Sequence, residues 1–564
     1  MLDATLPLMI GLHVHKHFSD DSGPCLQSMS LNILGKPRLA FIQGTALEST
    51  PLLGQIATAC RYSPPPAVCS QNQDTSWTRA GDSFKVRIPG SCLGMGGTVL
   101  PLFLLVAVLP SVWLTQQKRA LDDYVEAYDP YYSYTLKKEE TRLGTTIYTF
   151  NMTSLKWLNE SEVDRSIWWH ELFIVVPKVQ IMKDSCLLIP NSGRNDGVPI
   201  LDFDYNLDDI IDVAKSTGSC AALLRQIPNQ PNTFHATVRA MDTITTFLLK
   251  ESNRKMNIAK FTLAGISKRG WSSWLTAAVD KRVVSFFPFL ADLLNMSENL
   301  HHQYRSYCGW AFLLKPLRDT NITQQLDEPR FKEMASHIDP LGQSEEVEMS
   351  KPKQKLLSDS GHLQEDVIIK QAKYISVAAG DEIFQPDDSH YYFSQLTGEK
   401  LFRIIPNIGH THTLFLGQRV TLLDSLKAFY VSTMQNLRRP QISWNRTETN
   451  SSGIIHLVTD QEPSSIKCYF ANTFGSKRRD FRLIVGPGIP NPVLWCQCSV
   501  EKVMPGVYKA EVDKPSKGWR GFFIEVTFPG PGDSTFVFTS ELHIIPDTFP
   551  CMECKGEQCY GKLV

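Results

Sequence analysis

The chain has 564 residues, of which 42% are hydrophobic, 20% charged and 10% aromatic. This is ordinary globular composition with length for roughly two to four domains, and it excludes a disordered, collagen-like or coiled-coil chain. Lys and Arg total 57 against 58 Asp and Glu, a net charge of −1. The basic excess of a nucleic-acid binder is therefore missing, and a single long apolar run excludes a multi-span membrane protein.

Residues 1–94 are rich in Ser, Pro and Cys, show no sustained periodicity and read as a poorly ordered N-terminal extension. The apolar run follows, Thr98–Leu114, with Met95 before it and Lys118 and Arg119 after it. Residues 95–118 are expected to form a signal peptide, or an uncleaved signal-anchor that would hold the protein on a membrane by residues 98–114. Six Asn-x-Ser/Thr sequons lie beyond this run, at Asn151, Asn159, Asn295, Asn321, Asn445 and Asn450. They are candidate glycosylation sites and support a secreted, extracellular location. Nine of the 13 cysteines also lie beyond it, in keeping with disulfides in an oxidising compartment.

Residues 120–145 are Tyr- and acid-rich and read as a lead-in. From there to about residue 435, strands and helices alternate. Strands are predicted at 146–150, 172–176, 186–189, 220–224, 261–264, 283–289, 374–379 and 401–405. Several are almost continuously apolar, as in strands buried on both faces of a parallel sheet. Helices are predicted at 207–214, 236–249 and 268–279. The alternation predicts a doubly wound, mostly parallel α/β sheet over residues 119–438. Residues 291–370 break the pattern and are expected to form a lid insertion. His301, His302 and His390 are expected to be polar surface or lid residues. After Pro440 the pattern changes to about seven short strands in roughly 110 residues, at 454–458, 466–471, 481–485, 492–496, 507–512, 521–528 and 535–545, an all-β sandwich over 439–548. Residues 549–564 form a Cys-rich tail, in which Cys551, Cys554 and Cys559 suit disulfides better than zinc because no His follows them. No cofactor or metal is expected.

The segment KFTLAGISKRGWSSW, residues 260–274, carries the chemistry. A strand runs into Gly265-Ile266-Ser267 and then into a helix, the arrangement of a nucleophile elbow, in which a sharp turn projects a serine from the sheet edge. The usual second glycine of G-x-S-x-G is replaced by Arg269, and Gly270 comes one residue later. Lys268 and Arg269 read as solvated charges at the helix start, with attraction of an anionic substrate group as the alternative. A serine nucleophile needs a base, and the base needs an orienting carboxylate, in the chain order Ser, acid, His. Asp381 follows one predicted strand and His410 the next, so Ser267, Asp381 and His410 are the candidate catalytic residues. Glu382, Asp387, Asp388 and His412 are weaker rivals. The Lys268 N–H and the Gly193 N–H, in the loop after the third strand, are candidate oxyanion donors.

These segments resemble the PhoPQ-activated pathogenicity-related protein family. The resemblance rests on LDDYVEAYDPYYSY, WWHELFIVVP, GISKRGWSSWLTAAVD, HHQYRSYCGWAF, AAGDEIFQPDDSHYYFSQLTGEKLFRIIPNIGH, GWRGFFIEVTF and IIPDTFP, which span about residues 121–550. It implies an α/β-hydrolase-type domain with a C-terminal β-domain in a secreted protein, with the family's elbow, post-strand acid and Gly-His falling on Ser267, Asp381 and His410. The loop PNSGRND differs from the family's Gly-Gly-containing form, and residues 1–94 match nothing in it. Two functions are expected as alternatives. One is a Ser-His-Asp hydrolase acting on a small-molecule ester or a peptide. The other, implied by the family's eukaryotic members, is an extracellular ligand that restrains proliferation or repels cells through a cell-surface receptor, on a catalytically weak scaffold.

Overall fold

The computed structural model describes residues 120–193, 206–228, 233–342, 369–410 and 416–564. The expected extension at 1–94 and the apolar run at 98–114 lie outside these residues, as does 343–368 of the expected insertion. No helix among the described residues is long and apolar enough to cross a membrane.

Helix α1 (Ala120–Glu126) precedes a nine-stranded sheet. Its strands are β1 (Ser133–Arg142), β2 (Thr145–Lys156), β3 (Ile167–Pro177), β4 (Met182–Ser192), β5 (Ser219–Ile227), β6 (Lys260–Ile266), β7 (Val283–Phe289), β8 (Ala372–Ala378) and β9 (Lys400–Ile405). Their order is β1-β2-β3-β5-β4-β6-β7-β8-β9. Strands β1, β2, β3 and β5 pair antiparallel, and β5 through β9 run parallel. Helices α2 (Leu207–Thr217), α3 (Thr233–Thr246) and α4 (Lys268–Val279) fill the crossovers. Asn206 caps α2 through a reciprocal pair with Asp209, and Gly218 closes it in the left-handed conformation. The expected doubly wound, α/β-hydrolase-type sheet is therefore present.

Strand β1 is a correction to the lead-in reading of 120–145. Eight of its ten residues are exposed, so it shows no buried apolar run and its period carries no signal.

The expected insertion contributes α5 (Met296–Tyr307), α6 (Lys315–Asp319) and α7 (Pro329–Ile338). These helices share a core with the C-terminal tail: Trp310, Phe331 and Met334 pack with Cys554 and Cys559. Disulfide Cys308–Cys551 ties the two segments, the Trp310 N–H donates to the Lys562 carbonyl at 2.8 Å, and the Val564 N–H donates to the Trp310 carbonyl at 2.9 Å. Helix α5 also corrects the surface reading of two histidines, since His301 and His302 are buried.

Helix α8 (Leu416–Met434) leads to the C-terminal strands β10 (Ile442–Glu448), β11 (Ser452–Thr459), β12 (Ser465–Asn472), β13 (Ile484–Gly486), β14 (Ile489–Pro490), β15 (Cys496–Cys498), β16 (Glu501–Met504), β17 (Val507–Asp513), β18 (Arg520–Pro529), β19 (Thr535–Thr539) and β20 (His543–Ile545). Sheet β10-β11-β17-β16 faces sheet β15-β12-β18-β19, with β20 also paired to β18. Ile455, Leu457, Tyr508 and Ala510 of one sheet share a core with Phe522, Ile524 and Val526 of the other. Disulfide Cys468–Cys498 links paired strands of the second sheet. That core continues onto the central sheet. The Ile404 N–H on edge strand β9 donates to Thr539 Oγ1 at 2.9 Å, so the sandwich satisfies a group that an open edge would leave to water.

Two expected strands, 481–485 and 492–496, are mostly loop. Their apolar side chains Phe481, Val493 and Trp495 are buried by docking rather than by strand pairing. The Leu483 N–H donates to the Gly380 carbonyl at 3.0 Å, and the Asn407 amide exchanges two hydrogen bonds with the Trp495 backbone, at 2.8 and 2.9 Å.

The turn from β6 into α4 is tightly packed. A Cβ at Gly265 would lie 2.3 Å from the Arg269 carbonyl oxygen, and one at Gly270 would lie 2.5 Å from Ala291 Cβ and 3.0 Å from the Gly265 carbonyl oxygen. Gly270 therefore provides, one residue late, the close approach of strand and helix that the second glycine of the usual motif provides. Gly265→Ala is expected to cost about 1–3 kcal/mol, because a backbone atom cannot swing aside. Gly475→Ala, where a Cβ meets nothing within 4 Å, is expected to be neutral. Urea midpoints measure the difference, and equal midpoints for the two variants would contradict it.

Candidate active site

Strands β6, β8 and β9 are parallel members of one sheet, so their C-terminal ends share one edge. Ser267 follows β6 with φ 55° and ψ −122°. A positive φ is uncommon for a side-chain-bearing residue and strained outside the small left-handed region. The strain is held from both sides. The Ser267 N–H donates to the Phe289 carbonyl at 2.7 Å, and the Trp271 N–H returns to the Ser267 carbonyl at 3.0 Å. The hydroxyl is thereby presented at the sheet edge.

Ser267 Oγ lies 2.8 Å from His410 Nε2, and His410 Nδ1 lies 2.8 Å from Asp381 Oδ2. The other Asp381 oxygen accepts the Ile383 and Phe384 N–H groups at 2.7 and 3.0 Å, and the residue is buried. A carboxylate with these partners is an acceptor on both oxygens. That assigns the neutral tautomer of His410: Nδ1–H donates to Asp381 and Nε2 accepts from the Ser267 hydroxyl. Burial alone would push the His410 pKa down. The Asp381 charge and hydrogen bond, with the nearby Glu382 carboxylate, more than offset this and raise it above its ordinary 6.5. The Phe384 ring stands edge-on to the imidazole at 5.7 Å.

The rival residues occupy other places. Glu382 is buried and accepts the His410 backbone N–H at 2.6 Å, and its carboxylate is not the one on the ring. Asp387 and Asp388 pair with His302, and Asp387 also with Arg479 at 2.7 Å. His301 faces Asp327, and His390 Nε2 lies 2.8 Å from the Leu542 carbonyl. His412 lies outside the described residues. The sequence signal for the Glu382 contact is Gly409, directly before His410, which marks a close neighbour at that loop.

Lys268 is exposed and is the first residue of α4, where a backbone N–H has no intrahelical acceptor. Gly193 follows β4, which lies beside β6 in the sheet with Leu188 opposite Leu263. The β4–β6 pairing ends at that position, and Gly193 opens the loop after β4. Residues 194 and 195 of that loop lie outside the described residues. Arg269 corrects the solvated-charge reading: it is 5% exposed and its guanidinium donates to the Ile227 carbonyl at the end of β5.

His301, Cys554 and Cys559 bring ligand-type atoms within 4.8 Å of one another. The two cysteines are bonded to each other, so their sulfurs are not thiolates and the set does not suit a cation.

A solved acetyl xylan esterase from Thermoanaerobacterium sp. is 12% identical with TM-score 0.36, covering 57% of this chain and 92% of that one. A Pyrococcus horikoshii acylaminoacyl peptidase is 10% identical with TM-score 0.34, covering 54% of this chain and 50% of that one. The Dictyostelium discoideum protein named autocrine proliferation repressor protein A is 28% identical over 514 residues, 82% of this chain and 97% of that protein. The profile of the PhoPQ-activated pathogenicity-related protein matches residues 121–237 and 233–482. With that match spanning most of the sheet, both acid and base loops and the elbow, the chain belongs to the PhoPQ-activated pathogenicity-related protein family.

Proposed function

We propose that this protein is an extracellular serine hydrolase that cleaves an ester or peptide bond. The observation that carries the reading is the continuous relay from Ser267 Oγ through His410 to Asp381. Ser267 Oγ attacks the substrate carbonyl carbon as His410 Nε2 takes the hydroxyl proton. Asp381 holds the imidazole in its tautomer and stabilises the imidazolium. The Lys268 and Gly193 N–H groups receive the oxyanion. Collapse expels the leaving group, which takes the proton from His410, and water repeats the sequence on the acyl-enzyme.

The extracellular part of the reading rests on three disulfides among the described residues and on the sequons. Asn151, Asn159, Asn321, Asn445 and Asn450 are exposed. Asn295 differs, because it is half-buried and its Nδ2 is held by the Tyr391 backbone carbonyl at 2.8 Å. The apolar run at 98–114 would act as the signal or anchor.

A second reading is an extracellular ligand that restrains proliferation. It rests on the name of the Dictyostelium relative and the nearly full-length match to it. Its receptor would be on a cell surface. Retention of a cellular effect by folded Ser267→Ala protein would favour it over catalysis.

Hydrolysis of p-nitrophenyl acetate tests the first reading. Ser267→Ala is expected to abolish turnover and Asp381→Asn to lower kcat by about 10⁴-fold, the scale for losing the orienting carboxylate of such a relay; turnover unchanged in either variant would end the proposal. Because His410 must be neutral to act, kcat/KM is expected to fall with decreasing pH about a midpoint above 6.5. The same raised pKa stabilises the fold: the contribution is complete below the unfolded-state value and is lost as pH rises through the folded one. Glycopeptide mapping is expected to find the five exposed sequons occupied and Asn295 vacant.

A further inference from the structure

The carboxylate next to Asp381 in sequence has a place of its own. Glu382 is fully buried, yet its Oε2 reaches across to accept the His410 backbone N–H at 2.6 Å. The residue before His410 is built around that contact. A Cβ at Gly409 would lie 2.3 Å from Glu382 Oε1 and 2.8 Å from Oε2, and its three nearest atoms would all belong to Glu382. Adjacent residues of one loop thus hold the base twice, Asp381 by its ring and Glu382 by its backbone.

A charged acceptor makes this contact about twice as strong as a neutral pair. It also adds a second tie on the base loop, beside the Asn407–Trp495 exchange. The charged groups that interact with Glu382 include His410, after β9, and Arg482, from the C-terminal segment. Arg482 donates to both Asp480 oxygens, at 2.9 and 2.6 Å, so its charge is shared with that carboxylate.

We propose that Glu382 is a positioning residue for His410, fixing the imidazole through the backbone N–H while its negative charge favours the imidazolium that forms as Ser267 loses its proton. The proposal deepens the serine-hydrolase reading and rests on it. Glu382 itself touches neither substrate nor the reacting atoms. The close fit at Gly409 follows from the same arrangement, since any side chain there would push the carboxylate off the His410 N–H.

Two variants separate position from charge. Glu382→Gln keeps an acceptor oxygen and removes the charge; Glu382→Ala removes both. The His410 imidazole pKa, followed by NMR of histidine-labelled protein, is expected to fall by on the order of half a unit in Glu382→Gln, with the acid limb of kcat/KM moving by the same amount. Glu382→Ala is expected to lose tenfold or more in kcat with KM little changed. Gly409→Ala should lose a similar factor in the native background and much less in Glu382→Ala, because the two residues share one contact. An unshifted His410 pKa in Glu382→Gln, or a Gly409→Ala effect equal in both backgrounds, would overturn the proposal. These outcomes differ from failure of the hydrolase reading, in which the native protein turns over no ester while the NMR shift still appears.

Discussion

The geometry of the site depends on one strained residue. Ser267 sits at φ 55°, and a bulky neighbour on either side of the turn would force the strand and helix apart. Gly265 and Gly270 remove those neighbours. The cost is local and lies in backbone conformation; the compensation lies in the buried sheet on one side of the turn and helix α4 on the other, each of which bonds the Ser267 backbone. With Ser267 fixed, the sheet decides the rest. Residues that leave parallel strands two and three places away reach the same edge, and side chains 143 positions apart in sequence come within hydrogen-bonding distance.

The C-terminal sandwich is tied into this arrangement. One of its loops, residues 479–495, contacts the acid loop through Leu483 and Gly380, and the base loop through Trp495 and Asn407. Arg479 adds a buried contact, linking Asp387 and His302 while lying over the Phe549 ring at 4.5 Å. The acid loop, insertion helix α5 and the C-terminal tail meet at these few groups. A buried ion pair of this kind gives little net stability, but removing one partner leaves a charge stranded. The conformation of the acid and base loops is therefore linked to the integrity of the C-terminal region.

The central sheet was legible because its parallel strands are buried on both faces and read as apolar runs bounded by turns. β7 was predicted with the bounds it has, Val283–Phe289. Strand β1 was not legible, since a mostly exposed strand carries neither an apolar run nor an alternation. The loop at 479–495 misled for the opposite reason. Its apolar residues are buried by docking on another part of the chain, and a local pattern cannot tell docking from strand pairing. The Ser267, Asp381 and His410 positions were legible from order and strand context. The clamp from Glu382 was not, because nothing in the sequence says which of two adjacent carboxylates turns to the ring and which to the backbone. Arg269 was misread because a cation at a helix start is usually solvated, whereas here its guanidinium is buried and donates a hydrogen bond to a carbonyl on β5.

The central claim is that the Ser267 hydroxyl is a nucleophile activated by His410. It is tested most directly by treating folded, glycosylated protein with a fluorophosphonate and locating the adduct by mass spectrometry of the peptide that contains residues 260–274. The account predicts a single phosphonyl group on Ser267 that forms in the native protein and fails to form once His410 is replaced. An unmodified Ser267, or an adduct that forms equally well without His410, would contradict it.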